Sequence, residues 1–194
     1  QVSTEARELT QALKGDNKAQ GNWGEMLLEK ALELSGLAAG THYVVQDSQR
    51  NDDGRRLQPD VVIKLPDDRH LVIDSKVSLL AYERYANATS DEARAAALAE
   101  HLASLRQHVK GLGQKNYPAL YGLAAVDFVL LFVPVEPALL LALREDPGLY
   151  EESLRKDVVL VSPTNLLATL RVVNHVWRLE RQNRNVEQIG KLGG

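Results

Sequence analysis

Two short runs constrain this chain most: DFVLLFV, Asp127 to Val133, and DVVLV, Asp157 to Val161. Each is almost wholly apolar after its leading aspartate. That pattern suits strands buried on both faces, in the middle of a sheet. Between them, Glu136–Arg144 and Gly148–Lys156 read as short helices, so the two strands are joined by a crossover. Upstream, His42–Gln46 reads as a strand and Asn51-Asp52-Asp53-Gly54 as a turn. Asp60–Leu65 and Leu71–Lys76 read as strands of a hairpin around Pro66-Asp67-Asp68.

The remaining segments are helical. Gly21–Ser35 is amphipathic, with Trp23, Leu27, Ala31 and Leu34 on one face and Glu25, Glu29 and Glu33 on the opposite arc. Ser78–Ala88 reads as a helix. A second, alanine-rich helix, Asp91–Leu112, is capped by Ser90 and stops near Gly111 and Gly113. A final long helix starts at Pro163 and runs towards Glu187, with proline near its first position. The order is helix, three strands, helices, strand, helices, strand, helix. This predicts an α/β architecture, a mixed β-sheet flanked by helices.

The chain's 194 residues suit one domain with a substantial core. Residues 1–20 are polar with sparse apolar positions and read as the end of a longer helix; residues 21–194 form the domain. The chain does not begin with Met, which predicts a fragment of a longer protein, whose targeting signals it does not reveal. There is no cysteine, which excludes disulfides, thiolate zinc sites and a cysteine nucleophile. The five histidines are scattered, and solvated or capping roles suit them better than a metal site. A formal charge of −3 gives no whole-surface attraction for nucleic acid, so DNA binding requires a local basic patch. No apolar run is long enough to span a bilayer, so this fragment is expected to make no membrane contact.

The hairpin carries the chemistry. Strand side chains alternate, so Asp60, Val62, Lys64, His70, Val72, Asp74 and Lys76 share one face. Val61, Ile63, Leu65, Leu71, Ile73 and Ser75 share the other, which is expected to pack on the core while the first carries the charge. A three-residue connection, Pro66 to Asp68, sets Asp60 opposite Asp74. Two carboxylates about 5 Å apart repel unless something neutralises them. A hard divalent cation, Mg²⁺ or Mn²⁺, does so with oxygen ligands and keeps waters that a substrate phosphate can replace. Lys76 then stands beside the cation, where it can orient the attacking water and offset developing negative charge. Alternating charge on a solvated hairpin face is the plainer alternative.

Glu25 borders the apolar arc of its helix on the Leu32 side and can reach the sheet edge as a third acidic ligand. Gly24 beside it permits close backbone approach. Glu29 and Glu33 read as a solvated stripe. On the last helix Arg171 and Arg178 share a face and Arg181 and Arg184 extend it, a candidate phosphate-binding stripe. Pairing with Glu180 and Glu187 is the competing role. Tyr82, Tyr85 and Tyr117 are candidates for stacking on bases or for half-buried core positions. Trp23 and Trp177 read as core.

A helix with Glu25, then Pro59-Asp60, then Asp74-Ser75-Lys76, in α-β-β-β-α-β order, resembles the PD-(D/E)XK nuclease superfamily. The chain is similar above all to the RmuC family of DNA recombination proteins. The resemblance rests on GNWGE (21–25), QPDVVI (58–63), DSKVSL (74–79), AYERY (81–85), FVPVE (132–136) and SPTNLLATLR (162–171). It implies a restriction-endonuclease-like core and a nuclease role in DNA recombination that limits rearrangements at repeats. Asp60, Asp74 and Glu25 would bind the metal and Lys76 would assist the water. It also implies an upstream coiled coil, hence a homo-oligomer, and a parent protein on the cytoplasmic side, anchored to the inner membrane by its N-terminus. The Gln-x-x-x-Tyr that follows the lysine in RecB-like nucleases is absent here, which puts an exonuclease-type role for Tyr82 in doubt. A catalytically weak DNA-binding scaffold on the same fold is the first competing class, and a coiled-coil assembly protein the second.

Overall fold

The computed structural model describes residues 17–45, 61–75 and 78–192. Helix α1 (Asn17–Ser35) leads into β1 (Tyr43–Val45), then β2 (Val61–Leu65) and β3 (Arg69–Asp74). Helices α2 (Leu80–Asn87), α3 (Asp91–Gln114) and α4 (Tyr117–Tyr121) follow. Strand β4 (Ala125–Phe132), helices α5 (Glu136–Glu145) and α6 (Pro147–Leu154), strand β5 (Val158–Val161) and helix α7 (Pro163–Leu192) complete the chain.

The five strands form one sheet in sequence order. β1, β2 and β3 are antiparallel neighbours, while β3, β4 and β5 run parallel, so the sheet is mixed as the sequence predicts. The β2–β3 hairpin pairs Leu65 with Arg69 across the three-residue connection Pro66–Asp68. Asp67 and Asp68 turn the chain at φ of 62° and 57°. Aspartate tolerates this left-handed region better than most residues because its short polar side chain can bond locally.

Both faces of the sheet are covered, making three layers. Ile63, Ile73, Leu130 and Phe132 pack beneath α1 and α7, against Leu28, Leu32, Leu166 and Leu170. Val62, Val72, Val129 and Leu131 pack on the other face against Leu105 and Val109 of α3 and Leu139 of α5. The expectation that one hairpin face is apolar and the other charged is therefore corrected. Val62, Val72 and Asp74 are as buried as Val61 and Ile73, because the α2–α3 layer closes over the second face.

Local sequence explains most element ends. Ser90 Oγ caps α3 by accepting from the Ala93 amide at 3.1 Å. α1 ends at Gly36, where φ is +79° and the side-chain amide of Asn174 on α7 donates to the Ser35 carbonyl at 3.0 Å. A Cβ at Gly36 would meet that amide at 2.8 Å, so both backbone sign and space favour glycine there. α3 runs through Gly111 and Gly113 instead of stopping near them. At Gly113 the missing Cβ makes room for Lys156, whose side chain would otherwise lie 2.9 Å away.

Three further expectations are corrected. β4 is covered on both faces only from Val129 onward, and Phe128 is 45% exposed. The buried arc of α1 runs through Leu28, Ala31 and Leu32 and leaves Leu34 51% exposed. The histidines are not all solvated: His70 and His101 are buried, and His101 Nε2 donates to the Ala138 carbonyl at 2.9 Å, tying α3 to α5. The short helix α4 is an element the sequence reading left out. Most of the expected upstream segment, residues 1–20, lies outside the described residues; α1 is already helical at Asn17.

Candidate active site

Asp74 ends β3 with none of its surface exposed. A carboxylate so placed needs partners, since an unpaired buried charge is strongly disfavoured. Lys115 Nζ donates to Asp74 Oδ2 at 3.0 Å, and the buried Tyr117 hydroxyl lies 3.5 Å from the same oxygen. The Lys115 ammonium also sits 5.5 Å from the centre of the Tyr117 ring, within cation–π range.

These two residues flank a double cap. The Lys115 amide closes α3 on the Leu112 carbonyl at 3.1 Å. Asn116 Oδ1 opens α4 by accepting from the Ala119 amide at 3.1 Å. Capping fixes the Lys115-Asn116-Tyr117 backbone, and that backbone delivers an ammonium and a phenol to one carboxylate oxygen. Lys115 escaped the sequence reading. It lies 41 positions from Asp74, and no local pattern marks a lysine after a helix end as anything but a solvated charge.

The helix that carries Glu25 passes the same end of the sheet. Gly24, one residue earlier, is buried beside Pro134: a Cβ on it would lie 3.5 Å from Pro134 Cγ. Pro134 follows β4, whose Leu131 is the parallel neighbour of Asp74. Glu25 is half-buried and makes no hydrogen bond or ion pair among the described residues. Glu29 and Glu33 are exposed, and Glu33 pairs with Lys30 at 3.3 Å, as a solvated stripe should. Asp60 and Lys76 lie outside the described residues. Among the described residues no group of three acids or histidines comes together. What is present has oxygen donors suited to a hard cation, and Asp74 already faces a positive charge.

The remaining candidates are dispersed. Arg171, Arg178 and Arg181 are exposed on α7 and make no ion pair among the described residues, whereas Arg184 pairs with Glu180 at 2.8 Å. Burial, and then the charge of Arg181, hold His42 below its ordinary pKa. Tyr82 is half-buried, its ring 5.7 Å from that of His101. Trp23 and Trp177 pack against the two cores, and Trp177 Nε1 donates to the Lys64 carbonyl at 2.9 Å.

The model of the RmuC family matches residues 1–194. The chain belongs to the RmuC family. It is 53% identical over 189 residues to the DNA recombination protein RmuC of Escherichia coli K12, covering 97% of this chain and 40% of that protein. The Salmonella typhimurium protein of the same name matches equally, at 53% over 189 residues. The DNA recombination protein RmuC homolog of Vibrio cholerae is 51% identical over 191 residues, 98% of this chain and 37% of the relative. The chain thus spans about 40% of the length of these RmuC relatives. No solved structure matches it.

Proposed function

We propose that this chain carries a Mg²⁺- or Mn²⁺-dependent DNA phosphodiesterase domain, restriction-endonuclease-like in fold, acting in recombination to limit rearrangements at repeats. The observation that carries the reading is Asp74: a wholly buried carboxylate at the end of a strand, held against an ammonium group. A scaffold has no evident need for such a group at the end of the sheet that the Glu25 helix also passes. Register supports the rest. Val61, the residue after Asp60 in the chain, pairs with Ile73, the residue before Asp74.

In this reading Asp60, Asp74 and Glu25 hold the cation, which when bound acidifies water and stabilises the charge that develops on the phosphoryl oxygens. Lys76 positions the water and offsets negative charge. Water attacks phosphorus, the bond to the leaving oxygen breaks, and that oxygen takes up a proton. The relatives are named as DNA recombination proteins, which supports DNA as the substrate. Arg171, Arg178 and Arg181 supply phosphate contacts and Tyr82 an edge for a base. Assembly through an upstream coiled coil, and a parent protein anchored at the inner membrane with this domain on its cytoplasmic side, belong to the same proposal.

The test is incubation with single-stranded, duplex and branched DNA, with and without Mg²⁺ or Mn²⁺. Cleavage should need the cation and disappear in Asp74→Ala and Lys76→Ala variants that retain a native circular dichroism spectrum. Cleavage that persists in both variants sinks this site. A second reading, a DNA-binding scaffold without catalysis, is favoured by the Lys115–Asp74 pair, which already neutralises the carboxylate. DNA binding with no cleavage under any cation would establish it.

A further inference from the structure

We infer that Lys115 is the built-in counter-ion of the acidic site, standing beside Asp74 where a divalent cation binds and released towards the phosphodiester when one does. The inference rests on the cation-dependent reading above. It adds a residue from the helical layer, outside the hairpin and outside the stretches on which the family resemblance rests.

Three features of the pair point this way. The ammonium lies 3.0 Å from a carboxylate oxygen that is itself buried, so the contact is made inside the site. The lysine side chain is 37% exposed although its ammonium contacts Asp74, so it can leave without unpacking the core. Its backbone is pinned between the α3 and α4 caps, so release moves only the side chain and keeps its reach to the site.

Charge balance supplies the driving force. Without a cation, the Lys115 ammonium offsets negative charge at the buried Asp74 carboxylate. A doubly positive ion on the same carboxylate replaces that compensation and repels the ammonium at close range. An arriving phosphodiester brings the negative charge that the displaced ammonium needs. Tyr117, fully packed beside the same oxygen, keeps Asp74 oriented through the exchange.

The experiment is calorimetric titration of the full chain with Mn²⁺ alone, in wild type, Lys115→Met, Lys115→Arg and Asp74→Asn. A second titration adds a short duplex in the presence of Ca²⁺. Removing the competitor should tighten Mn²⁺ binding in Lys115→Met by about three- to tenfold. The same variant should bind duplex in Ca²⁺ several-fold more weakly, and Lys115→Arg should restore duplex binding. Arginine grips a carboxylate with two donors, so Lys115→Arg should also weaken Mn²⁺ binding, which keeps the test open if Lys115→Met does not fold. Mn²⁺ affinity that ignores residue 115, while Asp74→Asn abolishes it, overturns the inference and leaves the cation-dependent reading standing. No Mn²⁺ binding in wild type overturns both.

Discussion

The Glu136 carboxylate accepts a hydrogen bond from the Ser162 hydroxyl at 2.8 Å, joining the first residue of α5 to the residue before α7. Its other oxygen accepts from Thr164 at 2.8 Å. The connections that follow β4 and β5 are thereby braced to each other at the end of the sheet where Asp74 lies. Two stretches that resemble the RmuC family, FVPVE and SPTNLLATLR, meet in this contact. Their polar residues serve architecture here.

Glu136→Ala should therefore cost stability and leave the chemistry intact. Two charge-assisted bonds are lost and the buried Ser162 hydroxyl is stranded, which together cost about 2–3 kcal/mol. Urea unfolding should show a lowered midpoint with an unchanged slope. Cleavage per folded molecule should match wild type.

Asp74 and Lys115 should be energetically coupled. Lys115→Met leaves a buried carboxylate with one partner fewer. The cost should be about 1–3 kcal/mol, below the figure for fully buried pairs because the lysine is partly solvated. In a double-mutant cycle with Asp74→Asn, the paired substitution should cost less than the sum of the two singles. Strict additivity in denaturation midpoints would show that the two charges do not interact.

His101 should make the fold acid-sensitive. Burial holds its pKa below the ordinary 6.5, and the hydrogen bond to Ala138 only partly opposes this. Among the described residues its buried Nδ1 has no hydrogen-bond partner, so a proton arriving there finds no acceptor among them. A lowered folded pKa means that the unfolded chain binds the proton first. The contribution to stability is whole above about pH 6.5 and is lost as pH falls below it, by at most about 1.4 kcal/mol per pH unit. Melting temperature should drop between pH 7 and pH 5, and His101→Leu should flatten that part of the curve.

The arginines of α7 should report on the DNA backbone. If Arg171 and Arg178 each meet a phosphate, replacing either with alanine should lower the slope of log affinity against log salt by about one and weaken all sequences alike. An unchanged slope removes α7 from the interface.

Much of the scaffold was legible. The apolar runs near Leu130 and Leu160 marked the inner strands, and Pro66–Asp68 had the right length to put the hairpin in register. What was not legible depended on layers meeting. Alternation in the hairpin suggested one wet face, because nothing local announces that α2 and α3 will cover it. The glycines near the end of α3 read as a stop signal, whereas Gly113 makes space for a side chain from beyond α6. Candidate acids on a hairpin and a helix were legible as local motifs, D-x-K and GNWGE. Lys115 was not, because its meaning arises only when the cap between α3 and α4 folds onto the end of β3.

The most direct test of the whole account is a crystal structure grown with Mn²⁺ and read by its anomalous signal. One peak should stand about 2.0–2.6 Å from an Asp74 oxygen, shared with oxygens of Asp60 and Glu25, with the Lys115 ammonium turned away. An Asp74 still bound to Lys115 at saturating Mn²⁺, with no peak beside it, would contradict the account.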